Sequence, residues 1–173
     1  MKQSRRSKLK KLLTSDDILY GPAVYDCIGA KAAEEVGFPL IFTSGFGIAA
    51  SLYGLPDLGY LTVNDMLCRA GAIARAVDIP VIADMDTGYG GPLNLIRLVE
   101  EAVRHDIGGI IIEDQKWPKR CGHLRGKQLV ETDEYLEKLK AADEARSGED
   151  FTIVARTDAL SVYGLDEALR RGE

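Results

Sequence analysis

Two acidic pairs stand where apolar runs end. Val81 to Ala83 leads into Asp84-Met85-Asp86, and Gly109 to Ile112 leads into Glu113-Asp114. If the first run is a strand, its period-2 alternation sends Asp84 and Asp86 to the same side at its mouth. Carboxylates that close repel one another unless a cation or a proton lies between them. Helix capping is a poor alternative, because the next helical stretch begins at Pro92 after Gly91, too far downstream for either Asp to cap it. Three or more carboxylate oxygens around open water positions are what Mg²⁺ prefers, so the two pairs together point to a metal or acid/base site.

A basic segment follows the second pair. Lys116 to Lys127 holds five basic residues and one histidine and no acid, a composition suited to an anion. It brackets Cys121. An unperturbed thiol titrates at about 8.5, and Lys119, Arg120 and His123 are expected to lower that value and give a group that exchanges a proton near neutral pH. Gly122 and Gly126 would let the segment move as a lid. A zinc site fails on ligand count, since Cys27 and Cys68 fall in helical patterns and read as inert core residues. Further on, alternation aims Val154, Arg156 and Asp158 to one side. A buried arginine there needs either an acidic partner, Asp158 or the metal-site acids, or an anionic ligand. Thr43-Ser44-Gly45 offers a hydroxyl and close backbone N–H groups to a carboxylate or phosphate. His105 ends a helical stretch, where a cation suits the dipole, and falls outside the site.

Such residues need a scaffold that gathers strand ends. Short apolar runs at Leu19 to Val24, Leu40 to Thr43, Val81 to Ala83, Gly109 to Ile112 and Thr152 to Ala155 alternate with helical patterns at Cys27 to Val36, Val63 to Val77, Pro92 to His105, Thr132 to Arg146 and from Asp166 onward. The runs are continuously apolar, as doubly buried parallel strands are, and the connections into them are short. The fold class is α/β with a parallel sheet. Two long stretches, Gly45 to Leu61 and Lys116 to Val130, read as irregular. Both follow strands at their carboxyl ends, the edge where such folds place their chemistry.

The chain has 173 residues, 46% hydrophobic and 28% charged, enough for one sizeable core and too few for two full domains. No apolar run approaches the ~18 residues that cross a bilayer. There is no signal-peptide core, and three cysteines make no disulfide framework, so a cytoplasmic location is expected. The net charge of -5 hides an asymmetry: Met1 to Lys11 carries six basic residues and no acid, leaving 16 basic against 27 acidic in the remainder. Such a body repels nucleic acid and anionic membrane, and neither is an expected partner. Leu9, Leu12 and Leu13, with lysines between, predict a basic amphipathic helix within residues 1–18 leading into the first strand.

Taken together, Tyr25-Asp26, Thr43-Ser44-Gly45, Leu55-Pro56-Asp57-Leu58-Gly59, Asp84 to Gly90, Ile112-Glu113-Asp114-Gln115, Lys119 to His123 and Ala155 to Asp158 resemble the isocitrate lyase and phosphoenolpyruvate mutase superfamily over nearly the whole chain from Leu12. The resemblance implies a (β/α)₈ barrel of TIM type, with about the first five β/α units in residues 1–173 as one partial domain. It implies an essential Mg²⁺, with Mn²⁺ as a substitute, and a 2-hydroxy or 2-oxo di- or tricarboxylate ligand. Lys119-Arg120-Cys121-Gly122-His123 has the lid form that marks the superfamily's lyases. By that resemblance Asp84, Asp86 and Glu113 hold Mg²⁺, partly through water. Ser44 and Gly45 grip a substrate carboxylate, Asp57 sits near the metal, Gly122 and His123 contact substrate, and Arg156 neutralises oxyanion charge. Cys121 donates a proton after carbon-carbon cleavage, tuned by His123 and Lys119. The implied chemistry is a retro-aldol cleavage of a 2-methylisocitrate or alkylmalate type of substrate, giving a 2-oxoacid such as pyruvate and an acid such as succinate. Phe46 stands where methylisocitrate lyases resemble one another in having glycine, and its ring narrows the pocket beside the carboxylate site.

Rival readings are an oxaloacetate decarboxylase or phosphonate-processing member of the same superfamily, and a catalytically silent chain that keeps the motifs. Five strands against the barrel's eight speak for the last. Leu165 to Glu173 stops without a glycine cap and reads as an interruption. The resemblance adds that full-length relatives are homo-oligomers whose last helices are exchanged between subunits. For the 173-residue chain alone, the expectation is poor solubility and little turnover.

Overall fold

Residues 4–173 are described by a computed structural model. Strands β1 (Ala23–Val24), β2 (Ile41–Thr43), β3 (Val81–Asp84), β4 (Gly109–Glu113) and β5 (Thr152–Arg156) form one sheet, all parallel, in the order β1-β2-β3-β4-β5. That order never reverses, so the sheet lacks the switch point of a doubly wound fold and winds as a β/α barrel does. Helix α1 (Arg5–Leu13) precedes β1. The crossovers carry α2 (Cys27–Val36), then α3 (Gly45–Tyr53) with α4 (Val63–Ala76), then α5 (Pro92–Arg104) and α6 (Thr132–Ala145), and α7 (Ala159–Val162) and α8 (Leu165–Gly172) follow β5.

The helices begin where the sequence offers caps. Asp26 accepts the Gly29 N–H at 2.7 Å to start α2, Thr62 and Asp65 form a capping box on α4, and Pro92 takes the first position of α5. Two expectations are corrected. Of Leu19 to Val24 only Ala23–Val24 pairs as a strand, because Pro22 has no N–H to give a ladder, and Ile18 and Tyr20 lie exposed. Gly45 to Leu61 is not irregular throughout: Ser44 Oγ accepts the Gly47 N–H at 3.1 Å and opens α3, which closes at Gly54 with φ 65°. Glycines conceal this helix in the sequence, yet Gly47 is required, since a Cβ there would lie 2.7 Å from the Tyr25 ring. Cys68 is also exposed on α4 rather than in the core, while Cys27 is half-buried as expected of a packed thiol.

Strand alternation divides the interior in two. Ile41, Val81, Ala83, Ile110 and Ile112 face the helices and join the main core with Met66, Ile73, Leu95, Leu98 and Val99. Phe42, Ile82, Ile111 and Val154 face the opposite, inner side, together with Leu9 of α1 and Leu40. Leu9 is fully buried there, which explains the leucine spacing of the first helix. Its basic residues are spent on the loops before the strands: Arg5 pairs with Asp106 and donates to the Val77 carbonyl at 2.9 Å, Arg6 lies 3.1 Å from Glu149, and Lys10 lies 2.6 Å from Asp150. Lys10 and Asp150 form an exposed pair that contributes little, while the largely buried Arg5 and Arg6 add to the burial of Leu9 in docking the helix. Residues 1–3 of the expected leading helix lie outside the described residues.

Candidate active site

Ser44, Asp84, Glu113 and Arg156 each come two residues after an inner-face residue, namely Phe42, Ile82, Ile111 and Val154. Period-2 geometry therefore aims all four to the inner side at the carboxyl end of the sheet. Glu113 and Arg156 are register partners in β4 and β5, and their side chains meet at 3.3 Å.

Asp86 joins them by another route. The strand has ended, and Asp86 adopts a left-handed φ of 48°, so its convergence with Asp84 comes from the turn and not from the alternation expected of a strand. The two are tied directly: Asp84 Oδ1 accepts the Asp86 N–H at 3.2 Å, and Asp84 Oδ2 accepts the Gly45 N–H at 3.2 Å. Tyr89 donates its hydroxyl to Asp86 Oδ2 at 2.8 Å. Asp86 Oδ1 lies 2.7 Å from Lys119 Nζ, but off the line of a hydrogen bond. It and Glu113 Oε1 are buried side-chain oxygens without a hydrogen bond among the described residues. Burial pushes Glu113 up to about 8, with Arg156 and Lys119 opposing only in part. Asp84 is raised too, by burial and then by the Asp86 charge.

Lys119 turns toward these acids. Its ammonium pairs with Asp57 as well as Asp86; burial alone would lower its pKa, but the two carboxylates outweigh that and hold it charged. Arg120 donates to the Arg125 carbonyl at 3.4 Å. The two cations expected to flank the Cys121 thiol are thus directed elsewhere.

A cavity of about 380 Å³ is lined by Ser44, Phe46, Asp57, Asp84, Cys121, Gly122, His123 and Arg156. It unites the carboxyl-end residues with the basic loop. Gly122 packs so closely on the Arg156 guanidinium that a side chain there would collide with it. Phe46 stands at the rim, 59% exposed. Arg156 has both kinds of acidic partner considered from the sequence, Glu113 and, at 3.1 Å, Asp158. Ser44 and Gly45 also have internal duties, as cap of α3 and donor to Asp84; the Ser44 hydroxyl proton remains to be given.

Several supporting roles went unread in the sequence. Asp114 does not join Glu113 but faces away, fully buried, accepting from Thr157 Oγ1 at 2.6 Å and the Asp158 N–H at 3.0 Å and pairing with Arg171 at 3.0 Å. Lys138 donates to the Thr87 carbonyl and pins the turn that carries Asp86. The Tyr135 hydroxyl lies 2.7 Å from the Ile112 carbonyl and 3.1 Å from that of Arg156, bracing the two strand ends from behind. Only the DTGYG run hinted at Tyr89, and nothing local marks the others.

A hard divalent cation fits this chemistry in one manner. The donors are carboxylate oxygens, two of them buried and unbonded. Among the described residues, however, no three His, Cys, Asp or Glu side chains are disposed as a direct ligand set. Mg²⁺ retains several waters and takes one or two carboxylates, which suits Asp84, Asp86 and Glu113 acting partly through water and does not suit a closed cage such as zinc prefers.

Fold and site together define a β/α enzyme-type sheet with an acid cluster and a thiol-bearing loop facing one cavity at its carboxyl edge. The chain belongs to the phosphoenolpyruvate phosphomutase family, which matches residues 9–173. It is similar to the 2-methylisocitrate lyase of Bacillus subtilis (strain 168), 43% identical over 176 residues that cover 99% of this chain and 58% of that protein. The crystal structure of 2,3-dimethylmalate lyase, a PEP mutase/isocitrate lyase superfamily member, superposes with a TM-score of 0.94 at 42% identity over 98% of this chain and 57% of its own. A phosphonopyruvate hydrolase complex with oxalate and Mg²⁺ superposes with a TM-score of 0.89 at 36% identity, over 98% and 58% of the two chains. The chain thus spans a little over half the length of the relatives it matches.

Proposed function

We propose that these residues form the metal and proton-transfer side of a carbon-carbon lyase acting on a 2-hydroxy di- or tricarboxylate of alkylmalate or 2-methylisocitrate type. One observation carries this reading: Asp57 and Asp84 line a single cavity with a guanidinium and the loop bearing Cys121, and behind them Asp86 and Glu113 each keep a buried oxygen without a hydrogen bond. Asp84, Asp86 and Glu113 would hold Mg²⁺ or Mn²⁺. Held there, the cation would supply charge stabilisation for the oxygen that passes from hydroxyl to carbonyl. Lys119 stays protonated and balances the acid cluster between Asp57 and Asp86. Arg156 and the Ser44 hydroxyl bind the carboxylate that becomes electron-rich when the bond breaks. A cavity carboxylate takes the hydroxyl proton, the carbon-carbon bond cleaves to a 2-oxoacid, and the Cys121 thiol gives its proton to the carbanion or enediolate left behind, to be reprotonated from solvent. His123, on the same loop, lines the cavity beside it. The ring of Phe46 favours the smaller alkylmalates.

The test is product analysis. The chain, carried within a protein of its relatives' full length, is incubated with 2,3-dimethylmalate or 2-methylisocitrate and Mg²⁺, and 2-oxoacid release is followed. Activity is expected to vanish with a chelator and return with Mg²⁺ or Mn²⁺ but poorly with Zn²⁺. Cys121→Ser is expected to abolish turnover while retaining Mg²⁺ and oxalate binding. Carbon dioxide from oxaloacetate, with no 2-oxoacid from either hydroxy acid, would establish the decarboxylase instead.

A further inference from the structure

The backbone on both sides of Cys121 is held from outside the cavity. Gln115, just past β4 and almost wholly buried, accepts the Arg120 N–H through Oε1 at 3.0 Å and donates through Nε2 to the Arg120 carbonyl at 3.0 Å and to Asp158 Oδ2 at 2.9 Å. Beyond the thiol, buried Lys127 donates to the Gly122 carbonyl and lies 3.7 Å from Asp158 Oδ1. Asp158 in turn receives the Arg156 guanidinium. The residue before Cys121 and the residue after it are therefore clamped by two different side chains. Both clamps converge on the carboxylate that also aims Arg156.

We propose that Gln115 and Asp158 are positioning residues that seat the Cys121 loop against Arg156. Neither belongs to the cavity's acid cluster. An amide that satisfies both backbone groups of a single residue fixes its place and rotation together, and leaving these buried groups unmet is unfavourable enough to favour an unseated loop. Because one carboxylate serves both the loop and Arg156, the thiol and the guanidinium are set relative to each other. The consequence for turnover rests on the lyase reading; the seating of the loop does not.

The experiment therefore reads the thiol. Carbamidomethylation of Cys121 by iodoacetamide is followed by peptide mass spectrometry, with Cys27 as internal control. In Gln115→Met the Cys121 rate is expected to rise about tenfold with Cys27 unchanged, since the seated and open loop then differ by less. Gln115→Glu, which sets a second oxygen against the Arg120 carbonyl and Asp158, should behave alike, and Asp158→Asn should show a smaller rise. A folded Gln115→Met with an unchanged Cys121 rate overturns the proposal. If that variant unfolds, shown by Cys27 accelerating as well, the wild-type protein decides by hydrogen exchange: a protected Arg120 amide supports the clamp, and one exchanging as an unstructured amide refutes it. A selective rise at Cys121, beside an unsubstituted protein of its relatives' full length that shows no lyase activity, would sink the lyase reading and leave the positioning role standing.

Discussion

Glu113 and Asp114 are consecutive acids at the end of one strand, and the molecule treats them oppositely. Asp114 faces the helix side, where a hydroxyl, a backbone N–H and the nearly buried Arg171 meet it. Arg171 is fixed in turn by the Val130 carbonyl at 3.1 Å and by Glu167 at 2.8 Å. Glu113 faces the inner side with Arg156 at 3.3 Å, and its Oε1 has no hydrogen bond. The difference separates a carboxylate that holds the fold from one kept ready for a ligand: the first has its charge and lone pairs answered by protein, and the second is buried without that and holds its proton to about 8.

The largest effect should come from the satisfied acid. Asp114→Ala takes from the nearly buried Arg171 one of its two carboxylates and frees the Thr157-Asp158 turn, so a loss of about 2–4 kcal/mol is expected in urea unfolding. A loss below about 1 kcal/mol would break the comparison. Glu113 should act with the opposite sign. The unfolded chain releases this proton near 4.5 and the folded chain near 8, so folding takes up a proton between those values. The favourable contribution is present below 4.5 and is lost as pH rises through 8. Without added metal, Glu113→Gln should therefore be more stable than wild type at pH 8, by about 2–3 kcal/mol, and lose less stability between pH 5 and 8. Asp84, raised in the same direction, keeps some of the slope. A Glu113→Gln variant that is less stable than wild type at pH 8 contradicts the distinction.

The sequence showed what depends on local rules. The ends of the apolar runs placed Asp84, Glu113 and Arg156 at the carboxyl edge of the sheet, and the caps at Asp26, Thr62 and Pro92 lie where the helical patterns begin. It misread features decided at a distance. Asp114 looked like the companion of Glu113, because its partners Thr157 and Arg171 come 43 and 57 residues later. Lys119 looked like a neighbour of Cys121, but its partner Asp57 lies 62 residues away. Asp86 reaches the cluster through a left-handed turn that no alternation rule describes, and α3 hid behind glycines that its packing on Tyr25 demands. Local periodicity thus reports which face a strand residue takes, and pairing energies between distant segments decide which polar residues remain free for chemistry.

A divalent cation should sharpen the contrast at a smaller scale. If the cluster binds Mg²⁺, a concentration ten times the dissociation constant stabilises the fold by about 1.4 kcal/mol. Asp86→Asn should abolish that increment in thermal melts. Arg171→Lys, which alters the surroundings of the satisfied acid and none of the cluster, should preserve it while lowering the melting temperature itself. An increment that survives in Asp86→Asn would place the cation elsewhere.

The smallest effect concerns Tyr89. Its hydroxyl takes up Asp86 Oδ2 and leaves Oδ1 as the unbonded oxygen, and its ring packs against Trp117 at a centroid distance of 5.7 Å. Burial and then the Asp86 charge push the phenol pKa up, so the hydroxyl keeps its proton and acts as a donor throughout the neutral range. Tyr89→Phe keeps the ring and removes only that donor to a buried carboxylate, so stability should fall by about 1–1.5 kcal/mol, less than in Asp114→Ala. Mg²⁺ affinity should nevertheless fall by about threefold to tenfold, because the Asp86 carboxylate is then free to rotate away from the orientation that suits the cation. Isothermal titration of the two proteins with Mg²⁺ at pH 7.5 separates the outcomes. A fall in affinity beside that modest loss of stability makes Tyr89 part of the ligand-ready side of the molecule, whereas a fall in melting temperature with unchanged affinity moves it to the side of Asp114.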